Sequence, residues 1–279
     1  MNPGPVYLTI LFSLIVGAVQ GELTRRSKPV GGTFFLWLAV TGVLGYTAKL
    51  HDFSQRPPQL LILVGLAFVG IYFGSYFSAA TKLIASPGLA WLIGLQVFRV
   101  AVEIFLDLGY RAGFVPVQMT LEGRNWDVLT GLTALPMAWL VAKNKAPKWL
   151  IYAWNLMGLG LLFNVMVIAV LSMPTPLRHF QNEPANTFVA YFPYVWLPTY
   201  LVQVAWMSHL LIFRAAKART QKRRNAGTAA NRWSLTPPYK ASAGTKPRES
   251  GRGKAGAASC ARISGATVLK LDERTTRAE

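Results

Sequence analysis

Long apolar runs separated by short polar segments fill the chain up to about residue 213. A helix needs about 20 mostly apolar residues to cross a bilayer core. Seven stretches approach that size: Pro3 to Val19, Gly31 to Leu50, Pro58 to Phe77, Gly88 to Leu108, Asp127 to Ala142, Leu150 to Met173 and Phe188 to Phe213. The fifth is short and contains Pro136, so it is expected to be kinked, tilted or lengthened by its flanks. The pattern predicts an all-α, polytopic transmembrane helix bundle over residues 1–213, followed by a tail of a different kind.

Charge sets the orientation. The first run has no Lys or Arg before it and Arg25, Arg26 and Lys28 just after it, which reads as an uncleaved anchor rather than a secretory signal. With the N-terminus outside, Lys82, Lys143, Lys145 and Lys148 join those three in the cytoplasm. The outer loops then hold only Lys49, Arg56, Arg111, Arg124 and Arg178, as the positive-inside rule prefers. The expected location is the cell inner (cytoplasmic) membrane. From Arg214 onward the sequence turns to Ala, Gly, Ser, Thr, Pro and more than half of the chain's 29 basic residues, which predicts a disordered cytoplasmic tail over residues 214–279. Its cluster from Lys217 to Arg224 suits anionic lipid headgroups; nucleic acid is a weaker reading, since no aromatic platform or fold supports it.

Overall composition agrees, with 52% hydrophobic residues and a formal net charge of +18 in 279 residues, which excludes an ordinary soluble enzyme. The single Cys260 excludes an intrachain disulfide.

The fourth stretch holds Gln96, Arg99, Glu103 and Asp107 at spacings that keep them on one helical face. Charges in a span are expensive, so this face is expected to turn into the bundle, with Arg99 and Glu103 pairing one turn apart. Such a pair either lines a cavity or only pins helix packing. Glu122, Arg124, Asn125 and Asp127 follow near the outer boundary; Asn125 suits an N-cap and Asp127 a first helical turn. In the sixth stretch Asn164 is expected at the depth of Arg99, with Gly160 allowing close helix approach, and Asn155 is expected to bond an adjacent helix or water. In the seventh, Tyr191 and Tyr194 read as an interfacial aromatic belt, and Trp196, Thr199, Gln203 and Trp206 share a face.

The ligand-binding set expected from these positions is Arg99, Glu103, Glu122, Arg124, Asn125, Asp127, Asn164 and Gln203. The function that they suggest is binding or translocation of a small polar or ionic solute through an outward-facing cavity. A membrane-embedded enzyme acting on a lipid or lipid-linked substrate, with Glu103 or Glu122 as acid/base, is one alternative. A non-catalytic assembly or sensory protein is another. No metal is expected: His51, Asp52, His179 and Glu183 share a side without a ligand spacing. Nor does the sequence name a cofactor, for it has no phosphate loop, no nucleophile elbow and no lysine in the middle of its last span.

Several segments resemble a family of uncharacterised bacterial multi-pass membrane proteins across residues 1–213. They are the Gln96 to Glu103 segment, Met119 to Asp127, Trp154-Asn155, Pro174-Thr-Pro176 and Phe192 to Pro198. The resemblance implies a bacterial integral membrane protein and supplies no activity, ligand or partner.

Overall fold

The computed structural model describes residues 4–85 and 88–235. Among these residues the fold is helical and contains no strand. The helices are α1 (Val6–Arg26), α2 (Lys28–Tyr46), α3 (Gln59–Gly74), α4 (Ser78–Ala85), α5 (Leu89–Gly94), α6 (Phe98–Arg111), α7 (Val128–Ala142), α8 (Lys148–Leu171) and α9 (Val202–Leu235). A single 3₁₀ turn, Leu95–Val97, joins α5 to α6. The tail beyond Leu235 lies outside the described residues.

Four helical segments are long and apolar enough to cross a membrane: Val6–Arg26, Lys28–Tyr46, Leu89–Arg111 and Lys148–Leu171. A fifth is obtained if α3 and α4, bent by 66° at their junction, count as one span. The segment from Ser78 to Ala85, expected as part of a loop, is therefore helical.

Helix α7 falls short of the required length, and the structure supplies the reason. Its first turn already sits beside Arg99, near the middle of Leu89–Arg111, and its 15 residues run about 22 Å from that depth. The preceding residues 112–127 are largely non-helical, and they enter the bundle to that depth. Non-helical backbone is tolerated there because protein covers it and its polar groups are bonded.

The last helix is the hub. From Leu197 to Ala216 it is buried on most of its circumference, which is why its sequence is apolar all round. It begins later than Phe188, the start expected from the sequence. Residues 188–196 form a 3₁₀ turn and an irregular cap, and a π turn, Leu197–Leu201, leads into α9. Tyr194 does not join an interfacial belt. It is fully buried, stacked on Phe114 and packed against Phe12, Phe105 and Phe188, with its hydroxyl 3.0 Å from Thr9 Oγ1. Trp37 donates to the Thr199 carbonyl and Trp196 to the Leu38 carbonyl, which ties α2 to the hub.

Side-chain bonds sort the connections into two ends. At one end Trp91 donates to Glu22, Arg214 to the Ser75 carbonyl and Thr81, and Arg219 to Asn144. At the other, His51 stacks on Tyr191, and Gln118 bonds both Ser172 and Asn182. The first end gathers Arg25, Arg26, Lys28, Lys82 and Lys143, and is called the basic end below.

Candidate functional site

Arg99 is the centre of a buried polar network. Its Nη1 donates to Asp127 Oδ1 at 2.7 Å and to the Gly158 carbonyl at 3.2 Å. Its Nη2 lies 3.0 Å from His209 Nε2. A guanidinium can only donate, so His209 Nε2 must accept and the ring proton sits on Nδ1. That proton points to Asn155 Oδ1 at 2.7 Å, while Asn155 Nδ2 donates to the His209 carbonyl. Four helices thus meet at one ionised side chain that is 3% exposed.

Glu103 does not pair with Arg99, although one helical turn separates them. The guanidinium is taken by partners on α7, α8 and α9, and Glu103 faces the entering segment instead. Its Oε1 accepts from the Leu121 backbone N–H at 2.5 Å and its Oε2 from Asn125 Nδ2 at 3.0 Å. Asn125 also donates to the Met119 carbonyl and accepts from the Asp127 N–H. Asn164 donates to the Arg124 carbonyl. These side chains bond backbone groups that non-helical structure at this depth would otherwise leave unpaired, a large cost in an apolar medium.

Of the eight expected residues, Arg99, Glu103, Asn125 and Asp127 therefore come together. Glu122 is exposed and lies 3.7 Å from Arg111, which is also bonded to Asp107. The Arg124 guanidinium sits over the Phe180 ring. Asn164 is on the surface of α8, and Gln203 faces a different space, between α2 and α3. The close helix approach expected at Gly160 occurs at Gly158, where a methyl group would lie 2.8 Å from both His209 and Thr130; nothing lies within 4 Å of Gly160. Asn155 bonds an adjacent helix, as expected, through His209, which is the network residue missed. The signal for it was a histidine inside an apolar run.

A narrow groove of about 90 Å³ rises from this network toward the end opposite the basic one. Arg99, Asn125 and Asp127 form its polar floor. Its walls are apolar: Leu61 and Val64 of α3, Val102 and Leu106 of α6, Leu162, Val165 and Ala169 of α8, and Leu197, Leu201 and Ala205 of the hub. Arg99 Nε is buried and has no hydrogen-bond partner.

Among the described residues no three His, Cys, Asp or Glu side chains converge on a metal position. Asp52 bonds Ser54, whose hydrogen bonds hold its carboxyl below the usual range. The hydrogen bond from Arg178 likewise lowers Glu183.

No curated protein and no solved structure matches the chain. A family model described as a domain of unknown function, DUF8737, matches residues 57–216, more than half of the sequence. The match contains Arg99, Glu103, Asn125, Asp127, Asn155 and His209, so the buried network lies wholly within it, and the chain belongs to the DUF8737 family.

Proposed function

We propose that this is a seven-span protein of a bacterial cytoplasmic membrane, with its N-terminus outside, that binds or moves a lipid-like molecule in the outer half of the bilayer. The sorting of connections into two ends supports seven crossings, since each successive span returns the chain to the opposite end. The basic end then faces the cytoplasm, where the sequence cluster from Lys217 to Arg224 suits anionic headgroups.

One observation carries the binding reading: the buried, unpaired Nε–H of Arg99, a residue in the polar floor of a groove with apolar walls. Ligand sites combine apolar walls with a few placed polar groups, and these walls suit hydrocarbon better than a freely soluble ion. Asp127 already balances Arg99, and Glu103 adds a second carboxyl group, so the floor has no spare positive charge for an anionic head. A neutral acceptor, such as an ester carbonyl, fits the single free donor. The enzymatic alternative is less well supported, because both Glu103 oxygens are bonded and Glu122 lies away from the groove.

Purified protein in detergent is titrated with methyl oleate, which carries an ester acceptor, and with 1-octadecene, which does not. The ester is expected to bind roughly tenfold more tightly, the scale of leaving one buried donor unpaired. Val165→Trp, which fills the groove from α8, is expected to abolish that binding. Equal binding of the two probes, or ester binding undiminished by Val165→Trp, would overturn the reading.

A further inference from the structure

A second space lies on the other side of α3. It is a groove of about 690 Å³ between α2 and α3 that reaches from the basic end to the middle of the hub helix. Near the basic end it is bounded by Pro29, Val30, Gly74 and Phe77, and at its deep end by Gln203 and Met207. Its wall is almost wholly apolar, with Phe34 and Trp37 along α2. Thr33 and Trp37 are its other hydrogen-bonding side chains, and their donors are committed: Thr33 to the Pro29 carbonyl near the basic end, Trp37 to the Thr199 carbonyl.

Gln203 differs from them. The residue is fully buried, its Nε2 donates to the Pro198 carbonyl at 3.3 Å, and its Oε1 has no partner. With Nε2 held by that carbonyl, the free group is an acceptor and calls for a donor. A buried amide oxygen left unpaired in an apolar wall is costly, and native structures rarely retain one without a reason. Water does not meet the need well, since a stable buried water requires two or more polar partners and this groove supplies one free group.

We propose that the α2–α3 groove is a binding site for a hydroxyl-bearing hydrophobic molecule, whose apolar body lies along Phe34, Trp37 and Ala67 and whose O–H donates to Gln203 Oε1. The site is separate from the groove above Arg99, which offers a donor rather than an acceptor and lies toward the other end of the bundle. The ligand class follows from the two features together: a hydrocarbon body for the wall, and one donor for the one free oxygen.

The test uses two probes of nearly the same shape, oleyl alcohol and its methyl ether; the ether can accept a hydrogen bond but cannot donate one. Binding to the full chain is measured by native mass spectrometry in the Val165→Trp background, which closes the Arg99 groove and keeps the two proposals apart. The alcohol is expected to bind about tenfold more tightly than the ether. Gln203→Leu is expected to remove that preference while leaving the weak binding of the ether. Gly70→Leu, which places a side chain into the space from α3, is expected to weaken both probes. Equal binding of alcohol and ether, a preference that survives Gln203→Leu, or failure of both probes to bind would overturn the proposal. Circular dichroism of each variant at working temperature establishes that it is folded before binding is read.

Discussion

Arg99 Nη2 lies 3.0 Å from His209 Nε2, and this contact fixes the histidine as the neutral tautomer with its proton on Nδ1. The relationship joins α6 to the hub helix and makes the network a single unit. Removing Asp127 leaves Arg99 buried without its counter-charge, so Asp127→Ala is expected to lower stability by about 3–5 kcal/mol. His209→Ala, which orphans Asn155 and one guanidinium N–H but no charge, is expected to cost less, about 1–3 kcal/mol. Thermal or denaturant unfolding in one detergent orders the two variants.

Gly158 and Gly160 provide a matched pair on α8. A methyl group at Gly158 meets His209 and Thr130 at 2.8 Å, whereas one at Gly160 meets nothing within 4 Å. Gly158→Ala is expected to destabilise by about 1–3 kcal/mol through overpacking against the network. Gly160→Ala is expected to be neutral or slightly stabilising, since alanine is the better helix former. The difference in melting temperature between these variants reads the closeness of α8 to α9.

His51 connects loop packing to pH. Burial against Tyr191 pushes its pKa below the ordinary 6.5, so the folded state prefers the neutral ring. Its contribution to stability is fully present above about pH 6.5 and is lost as pH falls through the lowered folded value. His51→Phe keeps the stacking without titrating. Unfolding measured between pH 8 and pH 5 is expected to show a smaller loss of stability for His51→Phe than for the wild type.

The topology has its own check. In a Cys260→Ala background, single cysteines at Ser54 and Gln181 are expected to react with a membrane-impermeant maleimide added to intact cells. Cysteines at Ser27 and Asn144 are expected to react only after the membrane is opened. Reaction of Ser27→Cys in intact cells would reverse the orientation.

Much of this architecture is legible in the sequence because bilayer physics is simple: apolar length marks a helix, and basic loops mark a side. The expensive residues Arg99 and Glu103 on one face of α6 point to a buried polar centre. Which partners they take is not legible. Arg99 and Glu103 look like a pair by spacing, but spacing cannot show that a loop will enter the bundle and offer the Leu121 N–H and Asn125 to Glu103. Tyr194 shows the same limit: an aromatic near a span end suits an interface, and only the folded cap buries it. The apolar character of the groove is hidden for a related reason. Its walls come from four elements, each of which shows ordinary span residues when read alone.

Photo-crosslinking probes the Arg99 groove most directly. An oleate methyl ester with a diazirine beside its ester group is added to the purified protein, irradiated, and the labelled peptides are sequenced. Labelling concentrated at Phe98 to Val102 and at Asn125 to Asp127, lost in Val165→Trp, is the expected result. Labelling confined to exposed helix faces such as Phe163 and Leu156, unchanged by that substitution, would contradict a lipid-like ligand seated on Arg99.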